Sequence, residues 1–179
     1  MKKLVLVHGW GGNSDYFKDL INKLKGKNIE VKTFNMPDID NPQIEEWVGF
    51  LQEKIKDVDE ETYFIGHSIG CQTIMRFLEK LDKTVAGCIF IAGWINLIGL
   101  GDDEKPIAKP WLETPIDFYK VKNNVNKIVA IFSDDDPFVP LSDKNIFEDK
   151  LNAKTIVLHG KGHIDDINEV IEEIKDFIK

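Results

Sequence analysis

The stretch YFIGHSIGCQTIM, residues 63–75, decides the fold. An apolar run stops at Gly66, one serine stands between two glycines as GHSIG (66–70), and apolar residues then resume at helical spacing. Placed at the C-terminal end of a strand and opening a helix, the pattern predicts a tight strand-to-helix turn. Side chains two residues either side of the serine would collide in such a turn, and glycine has none. Ser68 is then lifted above the sheet in strained backbone, with its hydroxyl at the start of a helix. The alternative is a glycine-rich turn that merely lets two elements pack closely. The partners of the serine decide between the two.

Working outward, apolar runs alternate with helix-period segments along the whole chain. The runs are LVLV (4–7), IEVKTF (29–34), YFI (63–65), CIFIA (88–92), IVAIF (128–132) and TIVL (155–158). Short apolar runs of this kind suit strands buried on both faces, as in a parallel sheet. Between the first two, Phe17, Leu20, Ile21 and Leu24 repeat at helical spacing after Asn13 and Ser14, with Gly26 as a stop. Near the end, Ile164, Ile167, Ile171, Ile174 and Ile178 form one stripe, so a helix is expected to follow His163 directly. The order predicts an α/β fold in three layers: a mainly parallel sheet of about six strands with helices on both faces. Residues 1–179 are read as one domain. Only residues 94–115, rich in Gly, Pro and charge, read as an irregular loop with one helical turn. A short helix is expected near 116–123. No cap domain fits before the next strand, which predicts a shallow site suited to short acyl groups.

Hydrophobic residues make up 42% and charged residues 30% of the chain, the balance of an ordinary globular protein. No apolar run approaches the ~20 residues that cross a bilayer. The opening MKKLVLVHGW has lysines and an apolar run but no small-residue cleavage site, so it reads as a strand. Cys71 and Cys88 lie in apolar surroundings and read as reduced core residues of a cytoplasmic protein. A net charge of −8 disfavours nonspecific binding to nucleic acid or to anionic membranes.

A serine hydroxyl is a poor nucleophile unless a base takes its proton and a third group orients that base. On a sheet of this kind the order is Ser, acid, His, each on a loop after a strand. After IVAIF come Asp134, Asp135 and Asp136; after TIVL comes HGKGH (159–163), ending in His163. Asp136 is preferred as the acid because Pro137 holds it extended, whereas Asp134 and Asp135 suit hydrogen bonds to amides of their own turn. An oxyanion hole needs two amides. One is that of Ile69, helped by the helix N-terminus. The other is Trp10, in HGWGG (8–12) after the first strand.

With these residues in view, the chain resembles the α/β-hydrolase superfamily, and within it the small, lid-poor serine hydrolases typified by retinoblastoma-binding protein 9. The resemblance covers residues 4–177. It rests on GHSIG, NMPD (35–38), KPW (109–111), DDPFVP (135–140) and GKGH (160–163). It implies a Ser68–Asp136–His163 triad and esterase-type activity on a small-molecule acyl substrate. The retinoblastoma-binding pattern of the namesake, L-x-C-x-E, falls here on KDVDE (56–60), which lacks both Leu and Cys, so that partner is not expected.

The other candidates read as structural. His8 and His67 are assigned to backbone geometry and packing, His159 to a local hydrogen bond, Cys71 to packing. C-x-x-C spacing is absent, the three consecutive aspartates cannot all point at one metal ion, and the expected chemistry needs no cofactor. Trp94 and Trp111, from loops at the same sheet edge as Trp10, are expected to border the acyl pocket, while Trp47 is expected in the core. The rivals to an esterase are an acyltransferase or thioesterase with the same triad, and a noncatalytic binding module on the same fold.

Overall fold

The computed structural model describes residues 1–179 and contains all six expected strands. They are β1 (Lys2–Val7), β2 (Ile29–Thr33), β3 (Thr62–His67), β4 (Gly87–Ile91), β5 (Ile128–Ser133) and β6 (Lys154–Leu158). All pairings are parallel, in the order β2-β1-β3-β4-β5-β6. Parallel pairing brings every strand's C-terminal end, and the loop that follows it, to one edge of the sheet.

Alternate residues of the four inner strands, β1, β3, β4 and β5, feed two separate cores, which explains runs that are apolar without alternation. Val5, Val7, Phe64, Cys88, Phe90, Ala130 and Phe132 point to one face. There they meet α2 (Ile44–Lys54), α3 (Ile69–Leu78), α5 (Phe118–Asn123) and α6 (Asp143–Leu151). Leu4, Leu6, Ile65, Ile89, Ile91 and Ile131 point to the other, against α1 (Lys18–Leu24) and α7 (Ile171–Phe177). The layers are therefore helix, sheet, helix. Trp47 lies in the first core as expected, fully buried on α2.

Two segments depart from expectation. The isoleucine stripe stays buried as a set, but the helix begins only at Ile171. Ile164 takes a left-handed φ of 54°, and the Asp166 carboxylate accepts from the Asn168 amide at 2.9 Å, which starts a short 3₁₀ turn, Ile167–Glu169. A side chain competing for the backbone in this way is a common reason for a helix to start late.

The second departure is residues 94–115, which hold a ten-residue helix, α4 (Glu104–Glu113), rather than one helical turn. Pro106 lies in its first turn, where the missing amide has no helical acceptor to lose. Glu104 accepts from the Gly101 amide at 2.7 Å, closing the N-terminus. The C-terminal carbonyls are met by Arg76 of α3, which donates to Trp111 O at 3.0 Å and Thr114 O at 2.7 Å. A buried cation on orphan carbonyls suits the negative end of a helix. No cap domain intervenes between β4 and β5, and no helix is long and apolar enough to cross a membrane.

Candidate active site

The elbow between β3 and α3 answers why an apolar segment bends around a hydroxyl. Ser68 adopts φ 52° and ψ −122°, a conformation that costs a non-glycine residue ~1–3 kcal/mol. A Cβ at Gly70 would stand 2.3 Å from Val7 O, and one at Gly66 2.8 Å from Cys71 N. The glycines thus let α3 start directly against β1. Ser68 N donates to Ile91 O at 2.9 Å, tying the turn to β4.

The three consecutive aspartates after β5 all reach the loop after β6. Asp134 accepts from His159 Nδ1 at 2.6 Å and from the Gly160 amide at 3.0 Å. Asp135 accepts from Ser133 Oγ at 2.7 Å and from the Gly162 amide at 2.8 Å. Asp136 Oδ2 accepts from His163 Nδ1 at 2.8 Å, while Oδ1 accepts from the amides of Phe138 (2.9 Å) and Val139 (3.0 Å). The expectation that Asp134 and Asp135 serve their own turn is therefore corrected: they dock the neighbouring loop. Those bonds hold both carboxyls below the ordinary Asp range, led by the Gly160 amide for Asp134 and by the Ser133 hydroxyl for Asp135. His159 is 96% exposed at its side chain, and its bond to Asp134 raises its pKa. The carboxylate of Asp136 is only 2% exposed.

Ser68, Ile69, Trp10, Trp94 and His163 line one cleft of about 360 Å³, together with Gly11, Leu97, Leu100, Glu104, Phe138 and Asp165. Neither Ser68 Oγ nor His163 Nε2 bonds another group of the chain, and catalytic hydrogen bonds commonly close only around substrate. The Trp10 amide also has no acceptor within the chain, and Ile69 N, first in α3, has no helical one.

Trp111 is not in this cleft. It is 1% exposed, its Nε1 donates to Pro42 O at 2.8 Å, and its ring meets Trp47 edge-on at 6.3 Å. The expectation that it borders the pocket fails because a buried indole N–H needs an acceptor, and the one available lies in the core. Cys71 is likewise buried, with its thiol pushed well up by desolvation. No three His, Cys, Asp or Glu side chains are grouped so as to hold a metal ion.

Two supports of the cleft leave little signal in the sequence. The NMPD segment and the residues after it brace the loop that carries Trp10. Met36 N donates to His8 Nε2 at 3.0 Å, Gly11 N to Ile39 O at 3.0 Å, and Trp10 Nε1 to Asp40 O at 3.2 Å. Asp143, fully buried at the start of α6, accepts from the amides of Ile95 (2.6 Å) and Asn96 (2.8 Å), fixing the chain beside Trp94. Family-particular residues at 35–38 were the only available signal for the first. Nothing local marks Asp143.

Known proteins bear on this arrangement. Residues 4–169 match the model of the family described as serine hydrolase. Serine hydrolase RBBP9 of Rattus norvegicus is 28% identical over 97% of this chain and 89% of its own. The YdeN protein of Bacillus subtilis is 26% identical over 90% of this chain and 85% of its own. The B. subtilis ydeN product, as a solved structure, superposes with a TM-score of 0.85 at 23% identity, covering 99% of this chain and 98% of that one. With nearly the whole chain matched in sequence and in fold, this protein belongs to the serine hydrolase family and has the α/β-hydrolase architecture.

Proposed function

We propose that the chain hydrolyses small carboxylic esters or related acyl compounds through a Ser68–His163–Asp136 triad and an acyl-enzyme. The observation that carries this reading is the 2.8 Å bond from His163 Nδ1 to the buried side chain of Asp136, on a histidine that shares a cleft with Ser68. Asp136 fixes the Nδ1–H tautomer, which leaves Nε2 as the base. Ser68 Oγ attacks the acyl carbon as its proton passes to His163 Nε2. The amides of Ile69 and Trp10 donate to the oxyanion, the role such paired donors fill elsewhere. His163 then protonates the leaving alkoxide, and water, deprotonated by the same nitrogen, releases the acid.

The lining favours a short apolar acyl group against Trp10, Trp94, Leu97, Leu100 and Phe138. Glu104 and Asp165 also line the cleft, with no Lys or Arg, so anionic esters are disfavoured. A panel of p-nitrophenyl esters of graded length, with fluorophosphonate labelling mapped by mass spectrometry, tests the reading. The expected result is a single adduct on Ser68 and a preference for short acyl groups. Absence of any adduct removes the proposal, and a clear long-chain preference removes its substrate class. Adding alcohol or amine acceptors separates hydrolysis from acyl transfer.

A further inference from the structure

His67, the residue before the nucleophile, is 6% exposed and takes no direct part in the chemistry above. Its Nε2 lies 2.9 Å from His163 O. Because the partner is a carbonyl, Nε2 carries the proton and donates. Its ring stacks on Tyr16, with centroids 4.5 Å apart, and meets the His163 ring edge-on at 5.1 Å. The Tyr16 hydroxyl donates in turn to Ile164 O at 2.9 Å. Two stacked rings thus hold the carbonyls of consecutive residues. The second of these is Ile164, a β-branched residue in the left-handed region with its side chain fully buried. Such a conformation persists only where its surroundings over-determine it.

We infer that His67 and Tyr16 are positioning residues, a clamp that fixes the backbone of the base relative to the nucleophile. The inference rests on the serine-hydrolase reading of Ser68 and His163. Its geometry is direct: His67 is bonded covalently to Ser68 and through Nε2 to His163, so the elbow itself sets where the imidazole stands. Space for the ring is reserved by the oxyanion loop, since a Cβ on Gly9 would come within 2.8 Å of His67 Nδ1. Burial, followed by the proximity of His163, holds the His67 pKa down at about 3. The clamp therefore adds no second charge beside the imidazolium that forms on His163 during turnover.

Three variants test it. His67→Phe keeps a flat ring and loses the donor, His67→Gln restores a donor without the ring, and Tyr16→Phe removes only the hydroxyl. Each is measured for kcat and KM on p-nitrophenyl acetate, for fluorophosphonate labelling rate, and for melting temperature. The downfield NMR resonance of the His163 Nδ1 proton is followed as well. Misplacing a catalytic group by ~1 Å can cost on the order of 10²-fold. His67→Phe is expected to lower kcat and labelling together by about that factor, with KM within roughly twofold and the downfield resonance weakened. His67→Gln should recover about tenfold of the loss, and Tyr16→Phe should lower kcat roughly tenfold. Full kcat and an intact resonance in folded His67→Phe, or in Tyr16→Phe should the first not fold, overturn the clamp. A wild type that shows the resonance but neither labels nor turns over refutes the hydrolase reading instead. The resonance in the variants then decides the clamp alone.

Discussion

The elbow at Ser68 and the wall built by residues 94–115 lie on the same cleft but are held in different ways. At the elbow, geometry comes from absent atoms: Gly66 and Gly70 leave room for backbone that would otherwise collide. In the wall, geometry comes from polar groups far apart in sequence. Asp143 holds Ile95 and Asn96, Gln72 donates to Trp94 O at 2.7 Å, and Arg76 closes α4. The Ser68 turn is therefore specified within a few residues, whereas the facing wall of the cleft depends on α3 and α6 being in place. Reaction type and substrate preference are consequently open to mutation at different positions.

Breaking the elbow's chemistry is expected to give the largest effect. Ser68→Ala should lower kcat on the order of 10⁶-fold, about 8 kcal/mol of barrier, while leaving the melting temperature nearly unchanged. Retention of even a tenth of wild-type turnover would assign the chemistry to another residue. Next comes Asp136→Asn, expected to cost about 10⁴-fold because the histidine tautomer is no longer enforced. Asp135→Asn, which loosens the Gly162 contact, should fall between, and Asp134→Asn should stay close to wild type. If Asp135→Asn is the dead variant and Asp136→Asn works, the acid is misplaced by one residue.

The wall is sharpened by its two tryptophans. Trp111→Ala should destabilise by roughly 3–5 kcal/mol in chemical denaturation, yet leave the order of preference among acyl chains as it was. Trp94→Ala should change that order. A Trp111 variant that shifts chain-length preference as Trp94→Ala does would erase the distinction drawn here.

The smallest effect per step is a pH dependence of stability. His67 is held at about 3 when folded, against about 6.5 in an unfolded chain. The unfolded state therefore binds a proton the folded state refuses. That contribution is complete above about pH 6.5 and is lost as pH falls towards 3, by up to ~1.4 kcal/mol per unit. His8, lowered by burial, acts with the same sign. His67→Gln should have a shallower acid limb than wild type in urea melts between these pH values, and an equal slope would show that His67 titrates freely in the fold.

What the sequence revealed follows the same division. All six strands and the turn at Ser68 are visible because apolar runs and glycine spacing are local signals. Three tryptophans at one sheet edge look equivalent in sequence; only the fold shows that the Trp111 indole is claimed by Pro42 O. The proline- and charge-rich stretch hid α4 because Arg76, its C-terminal partner, lies 35 residues before Trp111. The isoleucine stripe misled in the opposite direction. Helical spacing continued through Ile164 and Ile167, where Asp166 and a left-handed residue had already taken the backbone elsewhere.

The sheet order has a consequence for when the site exists at all. β3 and β5, which deliver Ser68 and the aspartates, are each flanked by strands on both sides, whereas β6, which delivers His163, is an edge strand paired only with β5. Local opening starts where a chain has the fewest neighbours. Fraying of β6 would withdraw His163 while leaving the elbow folded, a state whose intact core would hide the loss from most probes of structure. The same asymmetry applies during synthesis, since a chain emerges N-terminus first: the serine turn can be complete long before His163 has been made. Under the proposed mechanism, turnover is a report on the docking of the last strand.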